Sequence, residues 1–196
     1  MTDRETIRIY DTRAEDYAQV TASERPDATL RAFITALPKG ATVLDLGCGP
    51  GLSAAHMAAA GLQVEAWDAS AAMVALAATR PGVVAKQAGF DDLDSHAAYD
   101  GIWANFSLLH APRADMPRHL AAIARALTPG GLLHIGVKEG EGERRDSLGR
   151  HYTYYTETSL TQLLQAAGLV PGPFARGADK GLDGVVAPWI TVTSHR

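Results

Sequence analysis

Residues 43–51 read Val-Leu-Asp-Leu-Gly-Cys-Gly-Pro-Gly and hold the densest set of chemically informative residues in the chain. Three apolar residues and Asp45 form a short strand, and Gly47, Gly49 and Gly51 follow within a few positions. A glycine-rich loop lets the backbone turn sharply and lets a ligand lie directly on it, because there is no Cβ in the way. Asp45 places a carboxylate inside an otherwise apolar strand, and burying a charge is costly without a partner. The ligand of this loop is therefore expected to be cationic near Asp45. Cys48 sits in the same loop, but no base is paired with it in the sequence, so it is read as loop structure rather than as a nucleophile.

Other residues with chemistry fall after later apolar runs. Asp68 follows Gln63 to Trp67, and Asp91 and Asp92 follow Gly89-Phe90. Asn105 and His110 follow Gly101 to Ala104, and Tyr10 and Tyr17 lie near the start. A histidine has an ordinary pKa suited to general-base work. His110 is thus the candidate catalytic residue, with lining of a pocket as the alternative. A polar, glycine- and aromatic-rich stretch spans 138–156, where Arg144, Arg145 and Arg150 are either a carboxylate clamp or solvated surface charge.

These residues need elements to position them. Leu30, Phe33, Ile34 and Leu37 have helical spacing and stop at Pro38-Lys39-Gly40. Strands are expected at 43–46, 63–67, 83–86, 101–104, 132–137 and 190–193. Helices are expected at 52–60, 70–79, 117–127 and around Leu160 to Ala167. Thr128-Pro129-Gly130-Gly131 reads as a stop before the fifth strand. Alternating strands and helices argue for an α/β fold with a mostly parallel sheet covered on both faces. Ligands of such sheets bind at the carboxyl ends of the strands, which is where the loops named above fall.

Composition narrows the function. The 196 residues are 46% hydrophobic with a net charge of -4, an ordinary globular composition expected to make one domain over 1–196. No basic stripe points to nucleic acid. No apolar run approaches the roughly 18 residues of a membrane span. Met1 to Tyr10 does not read as a signal peptide, so the cytoplasm is the expected location. One cysteine and seven scattered histidines show no metal-ligand spacing. No metal is expected, and the sequence leaves the oligomeric state open.

Gly49-Pro50-Gly51-Leu52-Ser53-Ala54 formally matches the dinucleotide fingerprint, with Asp68 at about the 20-residue distance of a ribose-binding acid. Three features go against a dinucleotide. Gly47 already ends the strand, Leu52 is large where close helix packing is needed, and Asp45 would repel a pyrophosphate. S-adenosylmethionine keeps the adenosine and replaces the pyrophosphate with a cationic methionine portion.

The segment Val43 to Gly51 resembles motif I of the class I S-adenosylmethionine-dependent methyltransferases, and the likeness continues along the chain. Trp67-Asp68-Ala69-Ser70-Ala71-Ala72-Met73, Gly89-Phe90-Asp91-Asp92, Tyr99 to Asn105 and Leu127 to Gly131 resemble the family's later motifs, in order. The resemblance implies a Rossmann-like seven-stranded, mostly parallel sheet with helices on both faces and the last strand antiparallel. It implies methyl transfer to a small-molecule acceptor by in-line displacement, with S-adenosylhomocysteine as product. Cofactor-binding residues carried over are Asp45, Gly47, Cys48, Gly49, Gly51, Asp68, Ala69, Met73, Gly89, Phe90, Asp91 and Asn105. An N-terminal cap over 1–26 would bring Tyr10 and Tyr17 onto the methionine end, and 138–156 would be a substrate lid. Asn105-Phe106-Ser107-Leu108 stands where many base-amino methylases carry Asn/Asp-Pro-Pro-Tyr/Phe. An NAD(P)-dependent oxidoreductase and a non-catalytic S-adenosylmethionine-binding module are the alternatives.

Overall fold

The computed structural model describes residues 3–196; Met1 and Thr2, the first two positions of the expected cap, lie outside the described residues. Three helices come first: α1 (Arg4–Thr12), α2 (Ala14–Val20) and α3 (Ala28–Ala36). Asp3 and Asp27 cap α1 and α3 by accepting the amides of Thr6 and Leu30. The alternating part is β1 (Thr42–Leu46), α4 (Leu52–Ala59), β2 (Gln63–Asp68), α5 (Ala71–Ala77), β3 (Val83–Gln87), β4 (Tyr99–Asn105), α6 (Met116–Ala126) and β5 (Leu127–Lys138). The chain closes with β6 (Glu143–Arg145), β7 (His151–Thr153), α7 (Glu157–Ala166), β8 (Val170–Lys180) and β9 (Val186–His195).

Seven strands form one sheet in the order β3-β2-β1-β4-β5-β9-β8. The first five in that order pair in parallel, and β9 runs antiparallel to both β5 and β8. The expected mixed sheet with an antiparallel last strand is therefore present. Side chains alternate across the strands and feed an apolar core on each face. Leu44, Leu46, Ile102, Ala104, Leu133 and Ile135 pack with Leu120 and Ile123 of α6 and Leu160 and Leu164 of α7. Val43, Val64, Ala66 and Trp103 pack on the other face with Leu30 and Phe33 of α3 and Met57 of α4. Each large apolar side chain so buried contributes about 1.5–3 kcal/mol, which fixes the helices on the sheet.

Two regions differ from the expectations. Leu127 to Gly131 is taken into β5 as an irregularity: Tyr99 pairs with Leu127, Gly101 pairs with Leu132, and Gly130 takes φ +78°. β8 was not foreseen, because Pro171, Gly172, Pro173 and Gly177 disguise it. A proline is tolerated there because β8 is an edge strand. The 138–156 segment, the expected substrate lid, contains the β6–β7 hairpin, with Arg150, Tyr152, Thr153, Tyr154 and Tyr155 buried.

Candidate active site

The strand order reverses between β1 and β4, where consecutive loops leave in opposite directions and open a crevice. A cavity of about 310 Å³ lies there, within the size range of small-molecule sites. Its floor is the loop after β1. Gly47 takes φ +81°, and a Cβ on it would lie 2.2 Å from the Cβ of Ser107. Ser107 donates from Oγ to the Leu46 carbonyl at 2.6 Å, tying the ends of β1 and β4 together. Only glycine fits at position 47.

Asp45 points from β1 toward the first turn of α4. It is 2% exposed, and its Oδ2 has no hydrogen-bond partner. Burial, and then the nearby charge of Asp68, raise its pKa to about 8. A buried orphan carboxylate lining a cavity is the mark of a site shaped for a cation or a hydrogen-bond donor. Asp68 ends β2. Its Oδ2 accepts the Gly49 amide and its Oδ1 the Ser70 amide, both at 2.9 Å. Each oxygen keeps a further lone pair. Burial raises the Asp68 pKa as well.

Ala69, Ser70, Met73, Ala88, Gly89 and Phe90 continue the wall, and Asn105, Phe106 and His110 close it beyond β4. Asn105 Oδ1 lies 3.2 Å from His134 Nε2. Cys48 lines the loop with its thiol directed to the Gly49 carbonyl at 3.4 Å, and burial pushes its pKa well up. Such a thiol is not poised to ionise. Gly51 lies outside the lining. Its φ is +76°, and an added Cβ would come within 2.8 Å of Ala77, so it serves the close approach of α4 to α5. Asp91 is also outside the lining: Arg118 of α6 holds its carboxylate and keeps its pKa low.

Helices α1 and α2 roof the cavity with Tyr10 and Tyr17, whose rings meet edge to face at 5.4 Å. Asp11 fastens α1 by accepting Ser70 Oγ at 2.6 Å and the Ala72 amide at 3.2 Å. Thr6 Oγ1 accepts the His151 amide, and Arg145 reaches back to Asp3.

His110 sits under this roof with both nitrogens engaged. Nδ1 is 2.6 Å from the His151 carbonyl, which can only accept, so Nδ1 carries the proton. Nε2 then accepts from the Tyr10 hydroxyl at 2.9 Å. The Tyr10 oxygen in turn accepts from Arg150 at 3.0 Å. Arg150 is 2% exposed, and Asp146 takes two of its N–H groups, through Nε at 2.9 Å and Nη2 at 2.7 Å. Burial, aided by Arg150, lowers the His110 pKa to about 3, which keeps the ring neutral.

The sequence profile described as the methyltransferase domain matches residues 16–171. The chain belongs to the methyltransferase domain family. Among curated proteins it is similar to the cypemycin N-terminal methyltransferase of a Streptomyces species, 32% identical over 155 residues, covering 74% of this chain and 63% of that protein. It is also similar to the trans-aconitate 2-methyltransferase of Methylobacterium nodulans, 35% identical over 131 residues, covering 64% and 49%. The chain thus spans about half to under two thirds of the length of these relatives. Among solved structures it resembles the Burkholderia thailandensis 1,6-didemethyltoxoflavin-N1-methyltransferase with bound 1,6-didemethyltoxoflavin and S-adenosylhomocysteine. The TM-score is 0.76 and the identity 26%, covering 98% of this chain and 87% of that one.

Within this methyltransferase domain the cavity gathers Tyr10, Tyr17, Asp45, Gly47, Cys48, Gly49, Asp68, Ala69, Met73, Gly89, Phe90, Asn105 and His110. Sequence reasoning did not foresee the pinning role of Asp11, which only its place between the two cap tyrosines hinted at. It also did not foresee the chain from Asp146 through Arg150 and Tyr10 to His110, whose members are up to 140 residues apart. Among the described residues, no group of His, Cys, Asp and Glu is placed to hold a metal ion. No helix among them is long and apolar enough to cross a membrane.

Proposed function

We propose that this methyltransferase domain transfers a methyl group from S-adenosylmethionine to a small-molecule acceptor. The observation that carries the reading is Asp45, whose buried Oδ2 lacks a partner beside a loop that only glycine can build. A methionine ammonium satisfies that oxygen and the pKa of about 8 falls as the charge is neutralised. A dinucleotide would bring pyrophosphate to the same carboxylate, which would repel it.

The residues present fit the cofactor. The free lone pairs of Asp68 suit ribose hydroxyls, and Met73, Ala88 and Phe90 supply an apolar wall for a base. The cofactor, when bound, supplies an activated methyl group on a sulfonium. The protein then has to align donor and acceptor and exclude water. Tyr10 and Tyr17 present aromatic rings to the cavity, a surface that favours a cation. Burial raises the pKa of both hydroxyls, so they stay protonated. His110 is the candidate base. Its neutral ring and occupied Nε2 support a role as a wall that orients the roof, and proton abstraction would first require Tyr10 to leave.

The test is a thermal-shift panel with S-adenosylhomocysteine, NAD and NADP, followed by labelled methyl transfer to a metabolite extract. Stabilisation by S-adenosylhomocysteine and label incorporation are expected. Stabilisation by NAD alone would overturn the reading, and binding without any incorporation would favour a non-catalytic module.

A further inference from the structure

Asn105 ends β4 at the cavity, and its carboxamide is held from behind. Its Oδ1 lies 3.2 Å from His134 Nε2, while its Nδ2 has no hydrogen-bond partner among the described residues. Gly136 is the register partner of Asn105 on β5, and a Cβ there would come within 2.3 Å of that oxygen. The absence of a side chain at Gly136 thus leaves room for Oδ1. The chain then turns, with Phe106 at φ +55° and its amide on the Gly136 carbonyl at 3.0 Å. The backbone on the far side of Asn105 is thereby tied to β5 as well.

His134 is fully buried and pairs in register with Trp103. Its ring stacks on Trp103 with centroids 3.8 Å apart, and Phe33 meets it edge to face at 6.4 Å. These contacts hold the imidazole in place. A carboxamide oxygen only accepts, so Nε2 carries the proton. Nδ1 is then bare and faces the Thr193 hydroxyl at 3.4 Å. Burial lowers the His134 pKa to about 3, so the ring carries that one proton only. Hydrogen bonds therefore run one way, from Thr193 to His134 to Asn105. They leave the Asn105 NH2 as a donor for the cavity that Asn105 lines.

Asp45 and Trp103 are register partners on β1 and β4, and Asn105 lies two residues beyond Trp103. Asp45 and Asn105 therefore share a face of the sheet, with Cα atoms about 8 Å apart. Both line the cavity. One offers an acceptor without a partner, the other a donor of fixed direction. Such a pair matches an α-amino acid group, whose ammonium and carboxylate sit on one carbon. Arg25 and Asp27 also line the cavity, and both are exposed.

Building on the proposed methyl transfer, we propose that His134 is a positioning residue: it turns the Asn105 NH2 forward to take the carboxylate of the cofactor's methionine portion, beside the ammonium at Asp45. With the amide reversed, its oxygen would face that carboxylate and repel it.

Calorimetry compares S-adenosylhomocysteine with its decarboxylated analogue, in which a hydrogen replaces the carboxylate. The wild type should prefer S-adenosylhomocysteine by about tenfold or more, the worth of a hydrogen bond to a charged group. Asn105→Asp and His134→Leu should each lose about fivefold or more of that preference, while the analogue binds at least as well as before. His134→Gln, whose amide can place an N–H where Nε2 stood, should restore it. Long-range proton–nitrogen NMR of the wild type reads the tautomer without any substitution, and Nε2–H is expected. No preference in the wild type, a preference kept in His134→Leu, its loss in Arg25→Gln instead, or a His134 protonated on Nδ1 alone would overturn the proposal. Failure of S-adenosylhomocysteine to bind would instead take down the cofactor reading beneath it.

Discussion

Asp45→Asn isolates the most unusual electrostatic feature of the site. The carboxyl has an ordinary pKa of 3.8 in the unfolded chain and about 8 in the fold, raised by burial and by Asp68. Between those values the folded chain keeps a proton that the unfolded chain releases, so stability is fully present below pH 4 and falls as pH rises toward 8. At about 1.4 kcal/mol per pH unit, the loss between pH 4 and pH 7 is about 4 kcal/mol. Asparagine has nearly the same shape and carries no charge. The variant should therefore melt higher than the wild type at pH 7, by on the order of 10 °C for a chain of this size. The gap should close near pH 4. Differential scanning fluorimetry of the ligand-free protein from pH 4 to 8 reads this directly. Calorimetry adds the ligand side. Wild-type affinity for S-adenosylhomocysteine should rise with pH up to about 8, because binding expels the Asp45 proton, whereas the weaker affinity of Asp45→Asn should be flat. A melting difference that does not change with pH would refute the reasoning.

Further outcomes follow from the same geometry. Gly47→Ala must displace Ser107 and hold a left-handed residue, so urea unfolding should show a loss of about 2–4 kcal/mol. Asp68→Ala removes the acceptor of two loop amides and of the proposed ribose contacts. S-adenosylhomocysteine affinity should fall about 100-fold by calorimetry, and an unchanged value would remove Asp68 from the site. Asp146→Asn leaves the Arg150 guanidinium buried without its counter-charge and should cost about 3–5 kcal/mol in denaturant melts, much of it recovered in Asp146→Leu/Arg150→Met. With the His110 pKa held near 3 by burial, the turnover rate should show no inflection between pH 5 and 7; an inflection near 6.5 would restore His110 as the base.

The α/β half of the molecule was legible because its signals are local. β1 ends where the glycines begin, and α5 is capped by Ser70, whose Oγ accepts the Met73 amide. The mostly parallel pairing then follows from the alternation of strands and helices. The remainder depends on partners far away in sequence. Asp91 carries the expected residue type, but its ion pair with Arg118, 27 residues on, leaves no local trace. The stretch from Arg144 to Tyr155 reads as polar cover because nothing nearby reveals that Asp146 pairs with Arg150 or that Thr6 and Tyr10 supply its other contacts. Phe106 looks like any apolar residue after a strand, since a positive φ leaves no trace in a phenylalanine.

The floor and the roof of the cavity are built on different terms. At the floor, side chains missing from one strand make room for those of the next: Ser107 fills the space above Gly47, and Asn105 Oδ1 occupies the place a Cβ on Gly136 would take, 2.3 Å away. Any residue added there is felt by its neighbour at once. The roof is fastened chiefly by polar contacts, Asp11 to Ser70 and the Ala72 amide, Thr6 to His151, and Tyr10 to His110 and Arg150 among them. Inheritance should accordingly act unevenly on this chain, holding the floor nearly invariant over long divergence while the roof drifts and carries any change of diet with it.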